Sequence, residues 1–441
     1  MGSISGVITI ILGLGFVVFI HELGHFLAAR VRGVKVTKFS LGMGPKLWGF
    51  KKGDTEYMLS WIPIGGYVKM AGDEPAEEIG NQLKAKGIFE KDEFLGQVWW
   101  GKIFIIACGP LMNLFLAIAV FIFVFWWGME LGTFQSVLSG VEKGSAAEIS
   151  GFKSMDKIIS VDGAPAGWWH EFAAQLEKKK TSAVIVERAG KQKSLKLEIQ
   201  DGKAFGFIPY RPAVIEVNVG APAYNSGFKD GDLIVKAGGK DIKQFSDLYG
   251  VIQASKGKEM IFELRRSGQA VIKKVKPLKD NILSGGYVIG VSAKVEKYYK
   301  QSLPFGEAFI SGFERAYFLS TLQLKGLWMI ITNKQPAKDS LGGPIMIAQM
   351  AHEQAKKGFT TFLLFFAYIN LILGVLNLFL PIPVLDSGAI IMYAFEGVLR
   401  RPINLKVQMG LMYAGWVLVI LLMVFATYND IAKTILRGLN K

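Results

Sequence analysis

The pentapeptide His21-Glu22-Leu23-Gly24-His25 sets two imidazoles four residues apart with a carboxylate beside them. On a helix, residues four apart share a face, about one turn from each other. Both histidines can then reach a single Zn²⁺, and Glu22 can take a proton from an attacking water. The chemistry implied is zinc-dependent hydrolysis. The setting is unusual, because the motif lies in an apolar run that starts at Val7 and continues to Val31. Ionisable groups in a membrane-length segment cost roughly 2–4 kcal/mol each even on lenient scales, so they mark function.

A catalytic zinc needs a third protein ligand and an open position for water. The chain has four histidines, and two are already in the motif. His170 follows a tryptophan pair and His352 lies in a polar stretch, so both read as ordinary core or surface residues. The one cysteine, Cys108, sits in a different apolar segment, which excludes a disulfide framework and a thiolate zinc site. A carboxylate is the economical third ligand. Asp386 interrupts a late apolar stretch just after Pro381 and Pro383, where a broken helix lets side chains converge. Glu396 competes, but Arg400 and Arg401 nearby make it an interfacial ion-pair partner. The expected site is one Zn²⁺ held by His21, His25 and Asp386, with Glu22 as general base.

The elements that carry these residues read as an α-helical integral membrane protein. Of the 441 residues 51% are apolar, and four stretches are long enough to span: Ile4–Ala29, Ile103–Trp127, Phe362–Leu380 and Leu411–Tyr428. The first lacks a basic n-region and holds the motif, so it reads as a retained helix and not a signal peptide. Net charge is +15. Arg30, Arg32, Lys35, Lys38, Arg400, Arg401 and Lys406 flank the spans, which argues against nucleic-acid binding. Short basic loops face the cytoplasm, so the active site opens to that side and the long region between spans two and three lies outside. Lys433, Arg437 and Lys441 pull the other way.

Val34–Met70 is β-prone and broken by Gly42–Pro45, Pro63 and Gly65-Gly66, which predicts a small membrane-associated sheet. A peptide bond in a spanning helix is shielded until the helix unwinds and its backbone groups are paired again. The strand at Gly65, Gly66, Tyr67 and Val68 is a candidate for that pairing, or else a structural hairpin. Asn370 and Asn377, seven residues apart on one helix face, could bond the same backbone or could join helices. Residues 72–98 read as a loop with a short amphipathic helix, and Phe305, Phe309, Phe313, Ala316, Tyr317 and Leu324 as an amphipathic helix near the interface.

The external region repeats itself. Gly144, Ala147, Ser150, Gly151, Phe152, Lys153, Asp156, Ile158 and Gly163 recur 76 residues later as Gly220, Ala223, Ser226, Gly227, Phe228, Lys229, Asp232, Ile234 and Gly239. The second copy, Ser226-Gly227-Phe228-Lys229-Asp230-Gly231-Asp232-Leu233-Ile234, resembles PDZ domains. The first has Ser154-Met155-Asp156 where that pattern has a glycine-bearing turn. Two inserted PDZ-like α+β domains imply binding of peptide termini or extended segments; filling space is the plainer reading. The domain boundaries expected are 1–127 and 359–441 for the membrane core, 128–207 and 208–297 for the two modules, and 298–358 for linker helices.

HELGH at His21–His25, FSLGMGP at Phe39–Pro45, PIGGYVKM at Pro63–Met70, GPLMN at Gly109–Asn113 and NLFLPIPVLD at Asn377–Asp386 together resemble the site-2 protease family. The resemblance covers nearly the whole chain. It implies a multi-pass zinc protease of the bacterial inner membrane that performs regulated intramembrane proteolysis. Its substrates would be single-span membrane proteins, such as an anti-sigma factor after a first cut, or remnant signal peptides, with the modules as a gate. Two departures stand out: Ser387 replaces the usual glycine after the aspartate, and Leu380 lengthens the Asn-to-Pro segment by one residue. The competing readings are a catalytically silent membrane adaptor that holds peptides and a cation transporter. The first has no reason to keep three polar groups in lipid, and the second predicts repeated broken helices.

Overall fold

The structure is a computed structural model that describes residues 2–72, 89–176, 181–198, 205–280, 285–332, 342–401 and 403–439. The chain divides into two compact units, Met1–Met129 with Ser302–Ile431, and Glu130–Gln301 with Ala432–Lys441.

The first unit begins with helix α1 (Gly2–Val31), which carries the HELGH motif. The chain then turns at Gly33, whose φ of 74° suits a residue without a Cβ. Strands β1 (Val36–Lys52) and β2 (Thr55–Met70) follow. Their pairing is antiparallel and double: Phe39 faces both Tyr57 and Val68, and Ser40 faces both Met58 and Tyr67. The start of β1 is thus a central segment between Gly66–Met70 and Glu56–Leu59, and the latter pairs on its far side with Trp48–Lys51, so Gly66–Met70 forms one edge of the sheet. The expected breaks at Gly42–Pro45 and Pro63–Gly66 do not end strands. They lie inside two continuous ones, because glycines at positive φ bend a strand while pairing goes on around the bulge. Phe39 packs on Phe19 and Phe26, at ring separations of 5.6 and 5.0 Å, which fastens the sheet to α1. Most of the amphipathic helix expected within 72–98 falls outside the described residues. Helix α2 (Trp99–Trp127) completes this part.

The second unit contains the repeat, bounded by the paired strands β3 (Met129–Thr133) and, at its far end, β18 (Lys297–Gln301). Its first copy runs β4 (Leu138–Val141), α3 (Ala146–Ile149), β5 (Lys157–Val161), β6 (Ala164–Pro165), α4 (Trp169–Leu176), β7 (Thr181–Arg188), β8 (Lys191–Glu198) and β9 (Phe207–Pro209). The second runs β10 (Ile215–Val217), α5 (Pro222–Asn225), β11 (Leu233–Ala237), β12 (Lys240–Asp241), α6 (Asp247–Ala254), β13 (Met260–Arg266), β14 (Gln269–Val275), β15 (Leu278–Lys279), β16 (Tyr287–Val288) and β17 (Val291–Ala293). The sheets match: β6-β5-β7-β8 against β12-β11-β13-β14, and β4-β9 against β10-β17. Each copy has its own apolar core, one around Phe152, Phe172 and Val186, the other around Phe228, Phe262 and Ile289.

The first unit resumes with α7 (Phe305–Ile331), α8 (Pro344–Lys356), α9 (Phe359–Phe379), α10 (Asp386–Leu399) and α11 (Leu405–Leu439). Three stretches, Trp99–Trp127, Phe359–Phe379 and Lys406–Ala432, are long and apolar enough to cross a membrane among the described residues. Helix α7 separates small residues from large ones. Its buried residues are Ala308, Gly312, Ala316 and Gly326, whereas Phe305, Phe309, Phe313 and Tyr317 are exposed. Without a hydrophobic drive between helices in lipid, small residues let backbones approach, and a Cβ on Gly312 would press against Ile122 of α2. Asp430 of α11 accepts hydrogen bonds from the Gly343 and Met346 N–H groups at 3.0 and 2.9 Å, capping the start of α8.

Candidate metal centre

Helices α1 and α2 pack almost backbone to backbone. A Cβ on Gly24 would collide with the Cys108 carbonyl, and one on Gly109 would collide with the His25 ring. That contact brings His21 and His25 against α2. The His25 Nδ1 lies 3.0 Å from the Ile105 carbonyl oxygen, which can only accept, so the ring's proton sits on Nδ1 and the Nε2 lone pair is free. The Nε2 atoms of the two histidines are 3.2 Å apart.

The third group comes from the other end of the chain. Helix α9 stops at Phe379, and Leu380–Leu385, with Pro381 and Pro383, is irregular before α10 starts at Asp386. The Asp386 Oδ2 lies 3.1 Å from His21 Nε2, and Oδ1 lies 3.6 Å from His25 Nε2. Donor atoms of all three residues fall within 4.8 Å of one another, the one such group of His, Cys, Asp or Glu among the described residues. Ligands on a tetrahedral zinc at 2.0–2.1 Å stand roughly 3.3 Å apart, so two imidazole nitrogens and a carboxylate at these separations fit that ion. Asp386 Oδ2 is buried and has no hydrogen-bond partner among the described residues, which suits an oxygen available to a metal.

Glu22 lies next to this cluster and accepts a hydrogen bond from the Val68 N–H. Gly66, on the same strand edge, is close enough that a Cβ there would sit 3.3 Å from the Glu22 Cγ. The structure therefore brings Gly66 and Val68 beside the motif, and Gly65 and Tyr67 share that edge segment. Asn370 is 1% exposed; its Nδ2 donates to the Phe366 carbonyl oxygen and its Oδ1 has no partner among the described residues. Asn377 is half-buried two turns further along α9.

Glu396 is not paired with Arg400 or Arg401 as expected. It meets Lys102 of α2 at 2.9 Å, with Lys102 only 5% exposed and its ammonium also 5.0 Å from the centre of the Tyr393 ring, because α10 packs on α2. The two departures around Asp386 turn out to meet: the Ser387 hydroxyl donates to the Leu380 carbonyl, which also accepts the Ile382 N–H. His170 stacks on Tyr299 and bonds Thr133, an ordinary structural role. Sequence reasoning did not single out Asn113, whose amide reaches His21 at 3.3 Å; an amide in the middle of an apolar span was the available signal.

The profile of Peptidase family M50 matches residues 9–422. A Neisseria meningitidis protein named as a zinc metalloprotease is 31% identical, over 94% of this chain and 96% of its own length. The regulator of sigma-E protease of Escherichia coli is 30% identical, over 96% and 97%, and that of Haemophilus influenzae 29%, over 96% and 98%. The adaptor and transporter readings give way to these matches: the chain belongs to peptidase family M50, the site-2 proteases, and is a zinc metalloendopeptidase of the membrane.

Proposed function

We propose that this chain cuts the transmembrane segments of single-span membrane proteins, with His21, His25 and Asp386 as the zinc ligands and Glu22 as general base. The observation that carries the reading is the convergence of two Nε2 atoms and a carboxylate oxygen with no hydrogen-bond partner among the described residues, beside the half-buried Glu22. Zinc held there supplies Lewis acidity that makes water acidic near pH 7 and polarises the scissile carbonyl. Glu22 takes the proton of the attacking water and delivers it to the leaving amine, which balances the hydrolysis. The Val68 N–H keeps the carboxylate aimed, and the small Gly66 leaves it room.

The substrate backbone must be extended to be cut. The edge segment Gly65, Gly66, Tyr67 and Val68 would add the unwound peptide as a further strand, which lays it against Glu22. Asn370 and Asn377 would pair the backbone groups that unwinding exposes. We place α1, α2, α9 and α11 as four spans in the bacterial inner membrane, with the site toward the cytoplasm and both repeats outside. The repeats, as two PDZ-like domains, would bind peptide termini or extended segments and restrict access. Relatives named for sigma-E regulation make an anti-sigma factor after a first cut the leading substrate class, with remnant signal peptides second.

The test uses Glu22→Gln in the full chain reconstituted in lipid. Cleavage of a model transmembrane substrate should stop while bound zinc stays at about one per chain. Retained cleavage removes Glu22 from its role.

A further inference from the structure

Helix α2 touches both histidines on the side away from the metal position. The Ile105 carbonyl meets His25 Nδ1, and the Asn113 amide meets His21 Nδ1 at 3.3 Å. Ile105 and Asn113 are eight residues apart, about two turns, so they share one face of α2. The two contacts look equivalent, but their hydrogen-bonding sense differs. A carbonyl oxygen can only accept, which puts the His25 proton on Nδ1. In this arrangement Asn113 presents its Nδ2 donor to His21, and its Oδ1 is buried with no partner among the described residues. That sense would leave the His21 proton on Nε2, where a metal would have to bind.

The oxygen and nitrogen of a carboxamide exchange places by a half-turn and differ only in hydrogen-bonding role. With the half-turn, Oδ1 accepts from His21 Nδ1–H. Both rings then carry their protons on Nδ1 and point Nε2 lone pairs at the same spot. Asn113 is 1% exposed, so the contact is screened from bulk water.

We infer that Asn113 is a positioning residue for the metal ligand His21: its Oδ1 accepts the Nδ1–H, sets the tautomer and fixes the ring's aim. This rests on the reading of His21 as a zinc ligand. Groups that orient a ligating histidine in this way commonly change metal affinity by 10–100-fold when lost.

The experiment measures zinc affinity by chelator competition on the purified full chain, with no turnover involved. Asn113→Leu keeps the size and removes the acceptor, and should weaken zinc binding roughly 10–100-fold. Asn113→Asp keeps an acceptor only, and should bind within about threefold of the parent or tighter. A generic interhelical hydrogen bond would lower thermal stability in both variants without separating their affinities. Parental affinity in Asn113→Leu overturns the inference, as does equal weakening in both. If the leucine variant does not fold, Asn113→Ala takes its place with the same expectation. His21→Ala runs alongside: zinc held there at parental affinity sinks the ligand assignment itself, whereas a zinc-poor His21→Ala with a parental Asn113→Leu sinks only the role of Asn113.

Discussion

Asp156 and Asp232 in the repeats and Asp386 beside the histidines are carboxylates drawn out of water in two different ways. Asp156 is fully buried and Asp232 1% exposed. Each takes a two-pronged contact from an arginine: Arg188 at 2.6 Å on both oxygens, and Arg266 at 2.8 Å. Each also accepts a backbone N–H, from Lys153 or Lys229, at 2.9 Å. The same arginines reach back to the Gly151 and Gly227 carbonyls. Every lone pair that matters is used. Asp386 has two imidazoles for neighbours and an oxygen with no hydrogen bond among the described residues. A carboxylate that holds a fold together is saturated, because an unpaired buried charge costs more than the fold can spare. The Asp386 carboxylate lacks that saturation among the described residues, which is what the proposed ligand role requires.

The widest separation between the two kinds should come from Asp386→Ala. We expect zinc content and proteolysis to vanish together, by at least about 10³-fold in rate, with the repeats' proteolytic resistance unchanged. Zinc retained at the parental level would put Asp386 among the structural aspartates. The reciprocal change is Asp232→Ala, which strands Arg266 and should destabilise the second repeat by about 3 kcal/mol. Hydrogen exchange over β11 to β14 should rise while bound zinc stays put; a fall in zinc would erase the contrast.

Smaller effects sharpen the comparison within each region. Ser387→Ala removes the bond to the Leu380 carbonyl and should cost about 1 kcal/mol, read as a drop in melting temperature. In the first repeat, Met155 sits at φ 66°, where its counterpart Gly231 has φ 87°. A side chain there costs about 1 kcal/mol, so Met155→Gly should stabilise the first repeat and Gly231→Met should weaken the second by a similar amount. Exchange rates in β5 and β11 would report each, and a destabilised Met155→Gly would show that the methionine's contacts outweigh its backbone strain.

That turn also shows how legible the chain is. The 76-residue recurrence was visible as letters, and the structure turns it into two sheets of the same strand order. The missing glycine made the first copy look like a poorer match, yet Met155 adopts the glycine's conformation because Asp156, Arg188 and the core around Phe152 hold the turn. In the membrane unit, the helices and the motif could be read from apolar length and residue type. Three things could not: the pairing of β1 with both halves of β2, the small-residue face of α7, and the partner of Glu396. Each depends on which backbones come within reach of one another, and local patterning carries no such information.

The sequence by itself determined the ingredients of the site. Helical spacing put two imidazoles and a carboxylate on one turn, the scarcity of histidine and cysteine pointed to a carboxylate as the proposed third ligand, and the prolines located the break that bears Asp386. Tertiary structure decided how they meet. Glycines at 24 and 109 let α1 and α2 close until Ile105 and Asn113 touch the rings, and the folding back of β2 set Val68 and Gly66 against Glu22. The physical reason is reach: hydrogen bonds and metal ligation act over about 3 Å, and only a packed fold brings groups from opposite ends of a chain that close.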